Sequence, residues 1–252
     1  MTDSQFRDLH NVKIILKYDG TKYQGWQIQP RGRTIQGELT RVLSLLDHRA
    51  VTVHGAGRTD SGVHAEGQVA SFLMEREFEP GRLRDAINGN LDPDIRVSAV
   101  ELVDQSFHAR YSATQKTYEY RVCTGPVTSP FEYRYVYHFR GALDAARMRE
   151  AAALLRGRHD FTAFADSDSE ASCHIRDLRS LEVRQIDDML TVVAVADGFL
   201  RYMVRTIVGT LIDVGRGHRE AETVLTALEQ RDRRLSGPTA PAAGLTLLRV
   251  DY

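Results

Sequence analysis

The sequence has little cysteine and no long apolar run. Its 252 residues include two cysteines, Cys123 and Cys173, far apart and with no Cys-x-x-Cys spacing, so neither a disulfide scaffold nor a zinc site is expected. No apolar run reaches membrane-spanning length. The best candidate, 199–214, is interrupted by Arg201 and Arg205. The first ten residues are polar and lack the apolar core of a signal peptide. A reducing cytoplasm is the expected compartment. Charge of one sign is also missing: the formal net charge is −1, so a polyanionic partner has to be held by a local patch rather than a global field. Arg31, Arg33, Arg58 and Arg110 are the candidates for that patch. No internal repeat, low-complexity tract or heptad array is present.

What is present is an ordinary soluble composition, 42% apolar and 27% charged, long enough for one large domain or two lobes. Alternation predicts a strand over 12–18. Thr34 caps a predicted helix with apolar positions Ile35, Leu39, Val42, Leu43 and Leu46. Further strands are predicted at 50–54, 68–74 and 95–103, and a helix at 83–90. This β-α-β-β-α-β order is the ferredoxin-like split pattern. After a link at 107–114, strands are predicted at 116–122, 133–139, 181–186, 190–196 and 245–250. Asp144 caps a helix running to Arg156, 159–174 reads as a mobile polar loop, and 220–231 as a helix. Leu200, Met203, Val204, Ile207, Val208, Leu211 and Ile212 form the strongest helical stripe. The expected fold is α+β: two ferredoxin-like lobes, 1–105 and 106–252, with mainly antiparallel sheets and a cleft between them.

The stretch from Gly55 to Ala65 carries the chemistry. It holds three glycines within eight positions and one carboxylate, Asp60, two residues after Arg58. Such a segment suits neither a helix nor a strand interior; it suits a tight loop that another molecule can approach closely. Gly57 and Gly62 have the gap of a phosphate-binding loop, but Val63 and His64 follow where Lys and Ser/Thr are required. A dinucleotide fingerprint fails because Asp60 stands at its third glycine, where a carboxylate repels a pyrophosphate. A cation nearby keeps such an Asp ionised, fit to act as nucleophile, base or cation ligand. The residues alone equally allow a surface turn with Asp60 as its cap. Likewise Arg205 reads as a helix-edge arginine, Tyr118 and Leu245 as core, and His54 and His64 as structural.

The run Gly57-Arg58-Thr59-Asp60-Ser61-Gly62-Val63-His64-Ala65 resembles the signature of the tRNA pseudouridine synthase A family. Tyr18-Asp19-Gly20, Gly25-Trp26-Gln27, Thr34-Ile35-Gln36, Phe107-His108-Ala109-Arg110, Asp160-Phe161-Thr162, the 199–205 segment and Gly244-Leu245 agree with it in order. The resemblance runs from Val12 to Tyr252. It implies an enzyme that isomerises uridine to pseudouridine at positions 38, 39 and 40 of the tRNA anticodon stem-loop, with no metal or organic cofactor. It further implies a homodimer sharing one tRNA, and a nucleotide flipped from its stack. It casts Asp60 as the catalytic nucleophile, paired with and oriented by Arg205. Tyr118 stacks on the uracil, Leu245 covers its other face, and Arg58 extrudes the nucleotide or holds its phosphate. Two other readings compete. One is a non-catalytic RNA binder, which would show an aromatic-rich Lys/Arg-Gly-Phe/Tyr strand that is missing here. The other is a two-carboxylate hydrolase, which needs Asp19, Asp92 or Asp94 as a second acid.

Overall fold

A computed structural model describes residues 9–167 and 172–252. The chain divides into two compact units, Met1–Ala113 and Thr114–Tyr252. The division falls beyond the Gln105/Ser106 boundary expected from the sequence, because the 104–112 turn is tied back into the first unit. Asn11 donates through Nδ2 to the carbonyls of Asp104 (2.8 Å) and Phe107 (2.9 Å), and Ala109 N–H donates to Ser71 Oγ (3.0 Å).

The first unit runs β1 (His10–Tyr18), α1 (Ile35–Asp47), β2 (His54–Gly55), β3 (His64–Met74), α2 (Pro80–Asn90) and β4 (Ile95–Leu102). Its strands lie in the order β4-β1-β3-β2, every neighbouring pair antiparallel. Helix α1 starts where Thr34 Oγ1 accepts from Gly37 N–H at 3.2 Å, and it stops at His48, whose φ is +55°. Its buried face is Ile35, Leu39, Val42 and Leu43, as the spacing predicts. Leu46 is only half-buried. Asp47 goes inside instead, accepting from the N–H groups of Glu75 and Arg76 and pairing with Arg49 at 2.7 Å.

The second unit runs β5 (Gln115–Cys123), β6 (Tyr137–His138), α3 (Ala145–Leu154), β7 (Gly157–Asp160), β8 (Ile175–Ile186), β9 (Met189–Ala196), α4 (Met203–Gly215), α5 (Thr223–Gln230) and β10 (Leu245–Asp251). Its strand order is β10-β5-β9-β8-β7, again antiparallel throughout, with β6 a short parallel addition to β5. Without β6 and β7, both units show the split β-α-β topology, order 4-1-3-2. The two copies share it with no detectable sequence repeat. Helices α3 and α4 pack together, α3 against β8 and α4 against β5.

Three expectations are corrected. The strand at 50–54 shrinks to His54–Gly55, because Val51 and Val53 are buried as anchors off the ladder. The strand at 133–139 shrinks to Tyr137–His138, and Tyr133 stays exposed. The loop at 159–174 is largely structured where it is described: it enters β7 and a short 3-10 turn that buries Phe161, Ala163 and Phe164 completely. Residues 168–171 of that loop lie outside the described residues.

Candidate active site

Asp60 sits in the connection between β2 and β3, and its backbone is fixed on both sides. Trp26 N–H donates to Thr59 O at 3.0 Å. Ser61 Oγ (3.2 Å) and Gly62 N–H (3.3 Å) both donate to Tyr23 O. Val63 N–H donates to Asp60 O at 3.1 Å, closing a four-residue turn; Gly62, third in it, has a φ of +78°, the conformation a type II turn demands there. Beneath the loop lies a buried polar chain. Thr59 Oγ1 is 2.8 Å from the Tyr18 hydroxyl, and Gln68 Nε2 donates to that hydroxyl (3.3 Å) and to Gly57 O (3.0 Å). Burial pushes the Tyr18 phenol up to about 12, so it stays protonated at any ordinary pH. The result is a half-buried Asp60 on a backbone with little freedom, next to an exposed Arg58.

The neighbouring acids are already engaged. Asp19 accepts from Thr21 N–H at 2.9 Å, Asp92 pairs with Arg33 at 2.6 Å, and Asp94 accepts from the Tyr23 hydroxyl at 2.5 Å. Arg33 is also held by Glu38 at 3.0 Å, within its own unit. His64 is buried, and its Nδ1 accepts from Gly20 N–H at 3.1 Å. Among the described residues no group of three or more His, Cys, Asp or Glu side chains could hold a metal ion.

The second unit carries Tyr118, Arg205 and Leu245. Tyr118 lies on β5 opposite Leu247 and Ala194; it is 6% exposed, with its ring edge-to-face against Phe199 at 5.1 Å. Leu245 opens β10 opposite Tyr120 and is buried. Arg205, in the first turn of α4, donates from Nε to Ala240 O at 2.7 Å, and Ala240 N–H returns a bond to Arg205 O at 3.0 Å. Its guanidinium lies 5.1 Å from the Tyr202 ring centroid. Tyr120 ties the same loop down by donating to Pro241 O at 2.7 Å. Burial raises the Tyr120 phenol's pKa, with Arg205 pulling weakly the other way. Arg201 does a different job, pairing with Asp166 at 3.0 Å. Thus Tyr120 ties β5, and Arg205 ties the start of α4, to the 240–241 loop, and Leu245 lies opposite Tyr120; Asp60 and Arg58 belong to the first unit.

In the sequence Phe199 and Tyr202 stand out only as members of the 199–205 segment, with no contact assigned to either, and Ala240 does not stand out. Tyr202 left a trace, an aromatic between two arginines at 201–205, but Ala240 acts through its backbone and leaves none.

The tRNA pseudouridine synthase family matches residues 14–112 and 151–252. The chain belongs to that family. It is 41% identical over 242 residues to the tRNA pseudouridine synthase A of Geobacillus sp. (strain WCH70), covering 96% of this chain and 98% of the relative. It is 43% identical over 247 residues to that of Solibacter usitatus (strain Ellin6076), covering 97% and 100%. As a tRNA pseudouridine synthase it is an isomerase acting on tRNA. Asp60, Arg58, Arg205 and Leu245 fall within the family match, and Tyr118 falls between its two segments.

Proposed function

We propose that this isomerase converts uridine to pseudouridine at positions 38, 39 and 40 of the tRNA anticodon stem-loop, with Asp60 as nucleophile acting on a flipped-out nucleotide. The reaction breaks the N1–C1′ bond, turns the uracil and forms C5–C1′; C5 loses a proton and N1 gains one, so nothing is consumed. The observation that carries the reading is the Asp60 loop: it is pinned by backbone bonds at Thr59, Asp60, Gly62 and Val63 and by the Ser61 hydroxyl, while Asp60 is half-buried. A nucleophile held by its own fold does not have to be ordered in the transition state. Direct attack at C1′, addition at uracil C6, or removal of a ribose proton each require the ionised carboxylate.

The other roles follow from what each side chain can offer. Tyr118, packed against Phe199, is a fixed ring for the uracil; stacking of this kind is worth roughly 1–3 kcal/mol per base. That is the scale of the few kcal/mol a flipped nucleotide loses on leaving its stack. Leu245 is the apolar cover for the base. Arg205, anchored through Nε, offers a fork of N–H donors that a carboxylate accepts with fixed geometry. Arg58, exposed beside Asp60, takes a phosphate or extrudes the nucleotide. Two copies of the chain share one tRNA in the cytoplasm.

Nucleoside analysis of an unmodified tRNA transcript incubated with the enzyme tests the reading, with the modified positions mapped. Pseudouridine confined to 38–40 is the expected product. Free uracil would assign a hydrolase, unchanged uridine a binder, and pseudouridine elsewhere would overturn the choice of site.

A further inference from the structure

We infer that Arg233 and Thr239 are positioning residues of the isomerase: they brace the 236–240 loop, and through the Ala240 carbonyl that loop holds the plane of the Arg205 guanidinium. The inference rests on the role proposed above for Arg205. Arg205 stands in the first turn of α4, and its Nε–H is given to Ala240 O at 2.7 Å. Nε lies where the planar fork joins the side chain, so that one bond sets the direction of both Nη groups. Whatever moves Ala240 O therefore turns the fork.

The stretch 237–241 has no regular secondary structure and contains two prolines, so its backbone groups have to be satisfied from outside. Gly237 N–H donates to the buried Thr210 Oγ1 of α4 at 2.8 Å. Beside it, a Cβ on Gly209 would stand 1.7 Å from Pro238 O, so helix and loop meet there backbone to backbone. Guanidinium groups take the carbonyls. Arg219 donates to Leu235 O at 2.7 Å and to Ser236 O at 3.2 Å. Arg233 donates from Nη1 to Gly237 O at 2.8 Å and from Nη2 to the Thr239 hydroxyl at 3.1 Å. Arg233 thus grips the loop at the residue directly before Ala240.

Charge is not what Arg233 contributes at this place. Its hydrogen bonds go to uncharged oxygens, those of Ser236, Gly237 and Thr239. Burial, then the neighbouring Arg219, lower its pKa, with Asp166 pulling the other way. What remains is the rigid fork, which spans a carbonyl and a hydroxyl two residues apart. A fork used in this way fixes the course of the loop, and the loop ends on the carbonyl that orients Arg205.

The test measures kcat and KM of the full chain on an unmodified tRNA transcript, beside the melting temperature of each variant. Arg233→Met is expected to lower kcat about 10- to 100-fold, the loss that a misplacement on the order of 1 Å brings, with KM within about threefold. Arg233→Lys keeps the charge without the planar fork and is expected to stay impaired; a Lys variant with wild-type kcat would overturn the brace. Thr239→Val, isosteric and at a half-buried position, is expected to lower kcat as well, and it decides the matter where Arg233→Met does not fold. Glu79→Ala removes the side-chain cap of α2 in the first unit and is expected to lower the melting temperature but not kcat. If it loses kcat equally, the loss follows stability and the brace is overturned. In an Arg205→Lys background, where Nε is gone, Arg233→Met is expected to add less than about twofold. Arg205→Lys with wild-type kcat overturns the reading of Arg205 and the brace with it. A slow Arg205→Lys overturns the brace alone if Arg233→Met and Thr239→Val keep wild-type kcat, or if the Arg233→Met loss multiplies in full with its own.

Discussion

Gly25 has a φ of +82°, and a Cβ on it would stand 2.5 Å from Thr59 O, against the residue next to Asp60. Any other residue there is strained in its backbone and displaces the loop. Gly25→Ala is expected to lower stability by about 1–3 kcal/mol, the range for a residue forced into the left-handed region. Turnover should fall further than that, because Asp60 moves with Thr59. Thermal unfolding beside single-turnover kinetics checks this; a variant with wild-type turnover would show that the Gly25 contact does not position Asp60. Part of the residue-scale picture was legible. The glycine content of 55–65 announced a tight loop, and Gly62 does adopt positive φ. Gly25 was not legible in that role, because its need for a missing side chain arises from a backbone that approaches it from thirty-odd residues away. Tyr18 likewise read as one more strand residue, and only the fold reveals that its hydroxyl sits between Thr59 and Gln68.

Helix α4 shows how an element sets a side chain. Its apolar stripe was plain in the sequence, but its start was not: Tyr202 precedes it with a φ of +63° and carries Arg201 and Arg205 at 4.8 and 5.1 Å from its ring. Tyr202→Gly relieves the backbone and removes the ring. It is expected to keep the melting temperature and lower kcat, with Tyr202→Phe restoring it; equal kcat in all three would show that the ring does not hold Arg205. Strands of regular alternation such as β5 were readable for the same reason as α4, since period encodes the buried face. The short pieces at 54–55, 137–138 and 157–160 were not, because two to four paired residues carry no period.

The turns and helix starts also predict a response to acid. Hydrogen bonds from Gly81 and Arg82 lower Glu79, and those from Ser106 lower Asp104. Burial works against Asp160, but Thr162 and Arg231 outweigh it, and bonds from Arg234 bring Asp232 down to about 2. A carboxylate depressed in the folded state adds stability above its unfolded value near 4, and loses it as the pH falls through the folded value. The melting temperature is therefore expected to hold down to about pH 5 and to drop between there and about pH 2. A flat profile over that window would contradict these bonds.

At the scale of the molecule, two units repeat one topology with different side chains on it. The first carries the fixed loop with Asp60, the second the buried Tyr118 and Leu245 and the anchored Arg205. The β-α-β-β-α-β order was visible for the first unit and blurred for the second, where β6, β7 and α5 interrupt it. With a net charge of −1, binding of tRNA falls to local groups. Arg33 is engaged by Glu38 and Asp92, which draws it away from a phosphate. Asp60→Asn tests the role of Asp60 most directly, because the change is nearly isosteric and removes only the anionic oxygen. The variant is expected to fold, losing no more than about 1 kcal/mol, and to bind tRNA, since phosphate contacts and shape dominate affinity. Nucleoside analysis of tRNA incubated with that folded, tRNA-binding variant should then find no pseudouridine; pseudouridine formed at a rate near wild type would remove Asp60 from the chemistry.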